Sequence, residues 1–356
     1  MKTVLAAALA ALLTSILVTP LVVRYFRRHG LGQEIRGDGP QQHLVKRGTP
    51  TMGGVIVIIA VLLGYFGSHV IYSRAVTASA MLALWLMVGL GLVGFLDDFL
   101  KIRNARSLGL SARWKLAGQA VVAVSFAILS LNFPDNRGVT PASPAISFLR
   151  DLNWAHLPLV FAVVWIVFII AAFSNGTNLT DGLDGLLTGA ATMVFLAYAI
   201  VNVWQMQQWC GRLSSAGPKC YEVRNPLDLA ILAIAIAGSL FGFLWWNARP
   251  AKIFIGDTGS LAIGGGVAAM AIFTRTELLG VVLGALFVVE TLSVSLQVGY
   301  FKLTHGKRLF KMAPIHHHFE MLGWDEVTVV IRFWLLAGLA VVFGTSLFYA
   351  EWVVGQ

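Results

Sequence analysis

Charge is scarce in this chain. Asp, Glu, Lys and Arg together make up 12% of its 356 residues, whereas soluble domains carry about 25%. An ordinary soluble domain is therefore excluded. Cysteine is scarcer still, with two residues, Cys210 and Cys220. Both fall in one loop, 205–227, where an oxidising compartment would allow a disulfide; two free thiols are the equal alternative. Neither is placed as a nucleophile or a metal ligand. The common phosphate and zinc motifs are missing too: there is no Gly-x-x-x-x-Gly-Lys-Ser/Thr loop and no His-x-x-x-His pair. No Ala-x-Ala site follows the first apolar run, so that run is expected to stay as an anchor, uncleaved. No internal repeat and no separate soluble domain stands out.

What the chain does have is apolar sequence, 57% of all residues. Runs of about 18 or more apolar residues read as membrane-spanning helices. About ten occur, near 3–23, 52–72, 76–96, 116–133, 157–173, 186–204, 228–246, 259–273, 278–301 and 331–350. The run at 259–273 is short and opens glycine-rich, and 278–301 carries Glu290. An acid inside a span is more often functional or paired than accidental. The expected fold class is an all-α integral membrane protein, one polytopic unit over residues 1–356.

Arg24, Arg27 and Arg28 follow the first run, which places the N-terminus outside. The inner loops are then 24–51, 97–115, 174–185, 247–258 and 302–332, and they hold 18 of the 26 Lys and Arg. This is the positive-inside bias of a cytoplasmic face. The net charge of +9 is spread over loops between spans, which argues against nucleic acid and favours small anionic substrates drawn to the inner face. The longest bland outer connection, 133–156, contains Pro134, Pro141 and Pro144 and reads as turns or a small hairpin.

Five inner elements hold the unusual chemistry. "KRGTPTMGG", 46–54, breaks the chain before the second span. It is either a simple helix start or a phosphate-binding one, through Thr49, Thr51 and backbone N–H groups. "GFLDDFLKIRNARSLGLSARWK", 94–115, ends a span on Asp97 and Asp98 and continues into Lys101, Arg103, Arg106, Arg113 and Lys115. Adjacent helical residues point about 100° apart, so the two acids are expected to do different jobs, one of them pairing with Lys101. "NLTDGLDG", 178–185, sets Asp181 and Asp184 between two apolar runs with no basic residue nearby. "WWNARPAKIFIGDTGS", 245–260, brings Asn247, Arg249, Phe254 and Asp257 together, with Asp257 readable as a helix cap. "KMAPIHHHFE", 311–320, carries His316, His317 and His318. Three consecutive imidazoles cannot share one face, so they make a poor zinc site and suit a loop that gathers phosphate or sugar oxygens.

Asp97, Asp98, Asp181, Asp184 and Asp257 thus converge on one face beside many bases. An acidic, oxygen-only donor set favours Mg²⁺ bound through carboxylates and substrate phosphates. Mg²⁺ with cationic groups is the equipment of phosphoryl transfer. A site open to both cytosol and bilayer implies one water-soluble and one lipid substrate.

In order and spacing, "KRGTPTMGG", "GFLDD", "NLTDGLDGL", "GDTGSLA" and "MAPIHHHFE" closely resemble the bacterial phospho-N-acetylmuramoyl-pentapeptide transferases, part of the superfamily of polyprenyl-phosphate N-acetylhexosamine-1-phosphate transferases. The likeness covers essentially the whole chain, and the His run is its specific part. It implies transfer from UDP-N-acetylmuramoyl-pentapeptide to undecaprenyl phosphate with Mg²⁺, giving lipid I and UMP. It also implies about ten spans with both ends outside, a broken or bent ninth span and a homodimer. Carried over, Asp257 is the Mg²⁺ ligand with Asp97 and Asp98 beside it. Lys46 and Asp184 meet uracil, and Phe254 stacks on it. Thr51, Asn178, Asp181, Asn247 and Gln297 line the nucleoside and diphosphate region. His316, His317 and His318 face the sugar-phosphate side, and Lys101 and Lys115 contact phosphate. Ile255, Thr258 and Leu187 depart from the family pattern on a packing scale. A sister transferase for a UDP-N-acetylhexosamine is the nearest alternative. A secondary transporter is more distant, because the paired half-length spans of that class are absent.

Overall fold

In the computed structural model the described residues are 1–29, 32, 46, 48–104, 109–211 and 219–354. Arg106, counted above among the inner bases, lies outside them. The chain runs α1 (Lys2–Arg28), α2 (Gly54–Ile71), α3 (Ala78–Arg103), α4 (Ala112–Asn132), a hairpin of β1 (Ala145–Ser147) and β2 (Asp151–His156), then α5 (Leu159–Thr180), α6 (Leu186–Gln207), α7 (Pro226–Asn247) and α8 (Gly256–Phe273). It closes with α9 (Glu277–Leu283), α10 (Ala285–Leu303), α11 (Ile315–Glu320) and α12 (Glu326–Val354). Ten of these helices are long and apolar enough to cross a membrane, matching the number read from hydropathy.

The short, glycine-rich segment forms the centre. All of α8 from Thr258 to Phe273 is buried, packed among α3, α5 and α2. Small residues make this possible, because helices in a bilayer associate by close packing rather than by expelling water. A methyl group on Gly264 would lie 2.4 Å from Ser174 Cα, and one on Gly94 would lie 2.1 Å from the Asp257 carbonyl oxygen. Long apolar side chains face outward instead, among them Leu5, Leu17, Phe161, Phe168 and Leu339, as a lipid-facing surface requires. The span carrying Glu290 is broken at Gly284, where α9 ends and α10 begins.

Several boundaries differ from the hydropathy runs. Backbone hydrogen bonds carry helices past the apolar stretch: α1 continues to Arg28, α3 to Arg103 and α5 to Thr180. Asn178 therefore sits in the last turn of α5. Asp257 lies inside the first turn of α8, whose N-cap is Ile255 with no side-chain cap bond, so the capping reading is corrected: its carboxylate is committed elsewhere. The histidines occupy a short helix, α11, and not a loop.

At the end of the bundle away from Asp97, Asp98 and Asp257, the proline-rich connection forms the expected hairpin, pairing Ala145 with His156 and Ser147 with Asp151. Cys210 and Cys220 form a disulfide, which settles the alternative left open by the sequence. Arg150, in the hairpin turn, donates to the Lys219 and Cys220 carbonyls at 2.7 Å each and to Glu351 at 3.0 Å. It thereby ties the cystine loop to the end of α12. On the same side Asp228 is buried and accepts from Tyr65 (2.8 Å), the Thr77 hydroxyl (2.6 Å) and His69 (2.7 Å). Removing a buried acceptor strands its donors, at about 1–3 kcal/mol for each unsatisfied group. Asp228→Ala is accordingly expected to lower the thermal midpoint of the detergent-solubilised protein strongly and leave its specific activity unchanged; a loss of activity without a loss of stability would contradict this placement.

Candidate active site

Four helix ends meet around Asp257. The C-terminal turn of α3 brings Asp97, Asp98 and Lys101, the first turn of α4 brings Lys115, the last turn of α5 brings Asn178, and α8 begins on Asp257. Asp257 Oδ2 accepts from Lys101 Nζ at 2.8 Å and from Lys115 Nζ at 2.6 Å, and its Oδ1 accepts from Asn178 at 2.8 Å. Lys101 also reaches Asp97 Oδ2 at 2.6 Å and lies 3.7 Å from Asp98 Oδ1. As expected for adjacent helical residues, the two acids diverge. Asp97 accepts from the Leu110 amide at 2.7 Å, and Asp98 Oδ2 accepts from the amide and hydroxyl of Thr258 at 2.9 and 2.8 Å.

These acids still form one group. One carboxylate oxygen from each of Asp97, Asp98 and Asp257 lies within 4.8 Å of the others. The set is oxygen-only, is clustered at a helix junction and already draws two ammonium ions onto itself. Those properties fit a hard divalent cation such as Mg²⁺.

Gly256 makes the junction possible. It has φ +71°, which favours glycine, and a methyl there would lie 2.6 Å from Asp98 Oδ2 and 2.8 Å from Thr51 Oγ1. Thr51 is thereby placed against the acid group. Two backbone bonds align its segment with the Phe254 loop: Phe254 N to Pro50 O at 2.8 Å and Gly53 N to Phe254 O at 2.9 Å. Phe254 itself is half-buried.

Asp181 follows α5 immediately and is partly buried. Burial raises its carboxyl well above the usual carboxylate range, with the charges of Asp257, Asp98 and Asp184 adding to the effect. An acid with a raised folded-state pKa is stabilising only while protonated. Its contribution is complete below the unfolded value of about 3.9 and is lost as pH climbs through the folded one. Asp181→Asn is therefore expected to raise the thermal midpoint at neutral pH in metal-free buffer, the gain vanishing in acid; an equal gain at every pH would contradict it.

A second group lies beside the first. Lys46 Nζ contacts Asp184 Oδ1 at 2.7 Å and Glu326 Oε1 at 2.6 Å. Arg249 contacts Glu326 Oε2 at 2.5 Å, and Asp184 Oδ2 accepts from the Ala251 amide at 3.1 Å. Asn247 is buried, with its amide used internally: it accepts from Thr188 at 2.7 Å and donates to the Ile253 carbonyl at 3.0 Å.

The three histidines point to three surroundings, as consecutive residues must. His316 is fully buried 3.0 Å from Glu290, and a methyl on Gly182 would meet its Nε2 at 2.1 Å. The His run is thus seated directly under the 178–185 turn. His317 lies 2.7 Å from Glu320, and His318 accepts from the Lys311 amide at 3.1 Å. Gln297 ties down the segment before α11 through Leu309 and Phe310.

The sequence reading passed over Glu326 and Thr258. Glu326 opens an apolar run and looks like a helix-start acid, so only its partners distant in sequence reveal it. Thr258 was noted merely as a packing change, although its hydroxyl holds Asp98.

The class of protein follows from comparison: the pattern of glycosyl transferase family 4 matches residues 79–275, the stretch that carries Asp97, Asp98, Lys101, Lys115, Asn178 and Asp257. Residues 46–58, which include Lys46 and Thr51, match signature 1 of the phospho-N-acetylmuramoyl-pentapeptide-transferases. Proteins of that name from Cutibacterium acnes and Nocardioides sp. are 58% and 60% identical to this chain, over 100% and 97% of both sequences respectively. One from Streptomyces avermitilis is 55% identical over 99% of both. The chain belongs to the phospho-N-acetylmuramoyl-pentapeptide transferase family of glycosyl-1-phosphate transferases.

Proposed function

We propose that the protein transfers phospho-N-acetylmuramoyl-pentapeptide from its UDP carrier to undecaprenyl phosphate, releasing UMP and forming lipid I at the first membrane step of peptidoglycan synthesis. The observation that carries this reading is the acid group of Asp97, Asp98 and Asp257 bridged by Lys101 and Lys115. The chain works as one unit in the bacterial cytoplasmic membrane, both termini outside, the Asp-bearing end facing the cytoplasm, and as a homodimer. The basic inner loops support that orientation.

Asp257, flanked by Asp97 and Asp98, would hold Mg²⁺, which would supply neutralisation of phosphate charge there. Lys101 and Lys115 exchange carboxylate contacts for the diphosphate as substrate arrives. Lys46 and Asp184 read uracil with Phe254 stacked on the ring. Thr51, Asn178, Asp181, Asn247 and Gln297 frame the nucleoside and diphosphate, and His316, His317 and His318 bound the sugar-phosphate side. An oxygen of the lipid phosphate bonds to the β-phosphorus, and the bond from that phosphorus to the bridging oxygen breaks toward UMP. A phosphate monoester has a second pKa of about 6 and is already largely dianionic at neutral pH, so Asp98 serves as a base only where the acidic surroundings keep the lipid phosphate protonated.

The substrate is tested by giving the purified protein UDP-N-acetylmuramoyl-pentapeptide or UDP-N-acetylglucosamine with undecaprenyl phosphate and Mg²⁺. UMP is expected from the first alone. Release from the second alone would assign the chain to the sister activity.

A further inference from the structure

Glu326 belongs to no motif discussed above, yet it is 1% exposed and meets three elements remote in sequence. Its Oε1 accepts from Lys46 Nζ at 2.6 Å and from the Asp184 amide at 3.0 Å. Its Oε2 accepts from Arg249 at 2.5 Å. Helix capping does not explain the residue. The adjacent Asp325 accepts from the Val327 amide at 3.0 Å, and an acid kept only for the helix dipole has no need of burial. Two anions and two cations balance here, and Glu326 holds both cations.

We infer that Glu326 is the positioning residue of the nucleobase pocket, holding Lys46 in place while Asp184 changes partner. This rests on the proposal above that Lys46 and Asp184 meet uracil. Asp184 Oδ2 accepts from the Ala251 amide at 3.1 Å, and Lys46 lies on Oδ1 at 2.7 Å. Each oxygen can take two donors, and a base whose ring N–H enters at Oδ1 along the direction Lys46 now uses displaces that ammonium. With no second anion, the displaced lysine would sit partly buried and unpaired, a cost that opposes binding. With Glu326, Lys46 keeps one charged bond throughout and stays beside the carbonyl of the incoming base. The ligand class is a pyrimidine presenting a carbonyl next to a ring N–H.

The test compares inhibition of UMP release by UDP and by inorganic diphosphate in the full-length, detergent-purified enzyme. Glu326→Gln keeps the shape and loses the charge. Its inhibition constant for UDP and its KM for the UDP-sugar are expected to rise about tenfold, the scale of one charge-assisted hydrogen bond. Inhibition by diphosphate, kcat and the KM for the lipid stay as in the parent. Should Glu326→Gln fail to purify folded, Glu326→Asp carries the same readout, since its carboxylate falls one methylene short. Asp325→Ala serves as the structural control: it removes the cap at the start of α12 and lowers the thermal midpoint without separating UDP from diphosphate. Equal weakening of both inhibitors by Glu326→Gln, or no change in either, overturns the inference while the base reading stands. Unchanged UDP inhibition in Lys46→Ala overturns the base reading itself, and the inference with it.

Discussion

Asp257→Asn is expected to lower kcat for UMP release by about 10³-fold, the upper end of what one electrostatic contact in a catalytic site supplies. The reason is geometric. Asp257 touches Lys101, Lys115 and Asn178 together, so its charge gathers the cations of α3 and α4 and completes the acid group. An amide of the same shape retains the Asn178 contact and loses the attraction for both ammonium ions. EDTA should reduce the parent to a similar level and change Asp257→Asn little further, because metal and carboxylate act as a unit and their losses do not add. Stability separates chemistry from collapse: Lys101 keeps its 2.6 Å contact with Asp97, so the variant should remain folded in detergent. Full activity in Asp257→Asn would remove the acid group from the mechanism.

Gly94→Ala is the second large expectation, and it removes no functional group. The added methyl would stand 2.1 Å from the Asp257 carbonyl oxygen and 2.4 Å from its carbonyl carbon. Both are backbone atoms, with no flexible side chain to yield. The start of α8 must therefore move away from α3, and the gap between Asp257 and the Asp97–Asp98 pair must widen. Overpacking of this kind costs about 1–3 kcal/mol. A displacement near 1 Å costs about 100-fold in rate when the reacting groups are otherwise intact. UMP release should fall about that far, while recognition of the base, proposed above for the separate Lys46 and Asp184 group, is retained. Gly67→Ala is the control. Nothing lies within 4 Å of a methyl there, so activity should be unaffected. If Gly94→Ala and Gly67→Ala behave alike, the close approach of α3 and α8 does not set the site.

Much of this was legible in the chain. Apolar run length fixed the ten spans, because a bilayer demands them. Five acids in mostly apolar surroundings pointed to one face, because isolated charges there are costly. Glu290 looked paired from its setting, and His316 is its neighbour. What escaped depends on contacts far apart in sequence. Nothing local distinguishes Glu326 from any acid at the start of a helix, since its partners Lys46 and Arg249 lie on other segments. A capping role for Asp257 stayed open beside the metal role, because the sequence does not say where the helix starts; the backbone puts the N-cap at Ile255 and Asp257 inside the first turn. The disulfide could not be read from two cysteines ten residues apart, because pairing depends on how the loop between α6 and α7 folds back.

The most direct test of the account follows UMP after mixing stoichiometric enzyme with UDP-N-acetylmuramoyl-pentapeptide and Mg²⁺, first without and then with undecaprenyl phosphate. Direct transfer predicts no UMP until the lipid is added and multiple turnovers afterwards. One equivalent of UMP released before the lipid arrives, with phosphate left on an Asp side chain, would contradict it.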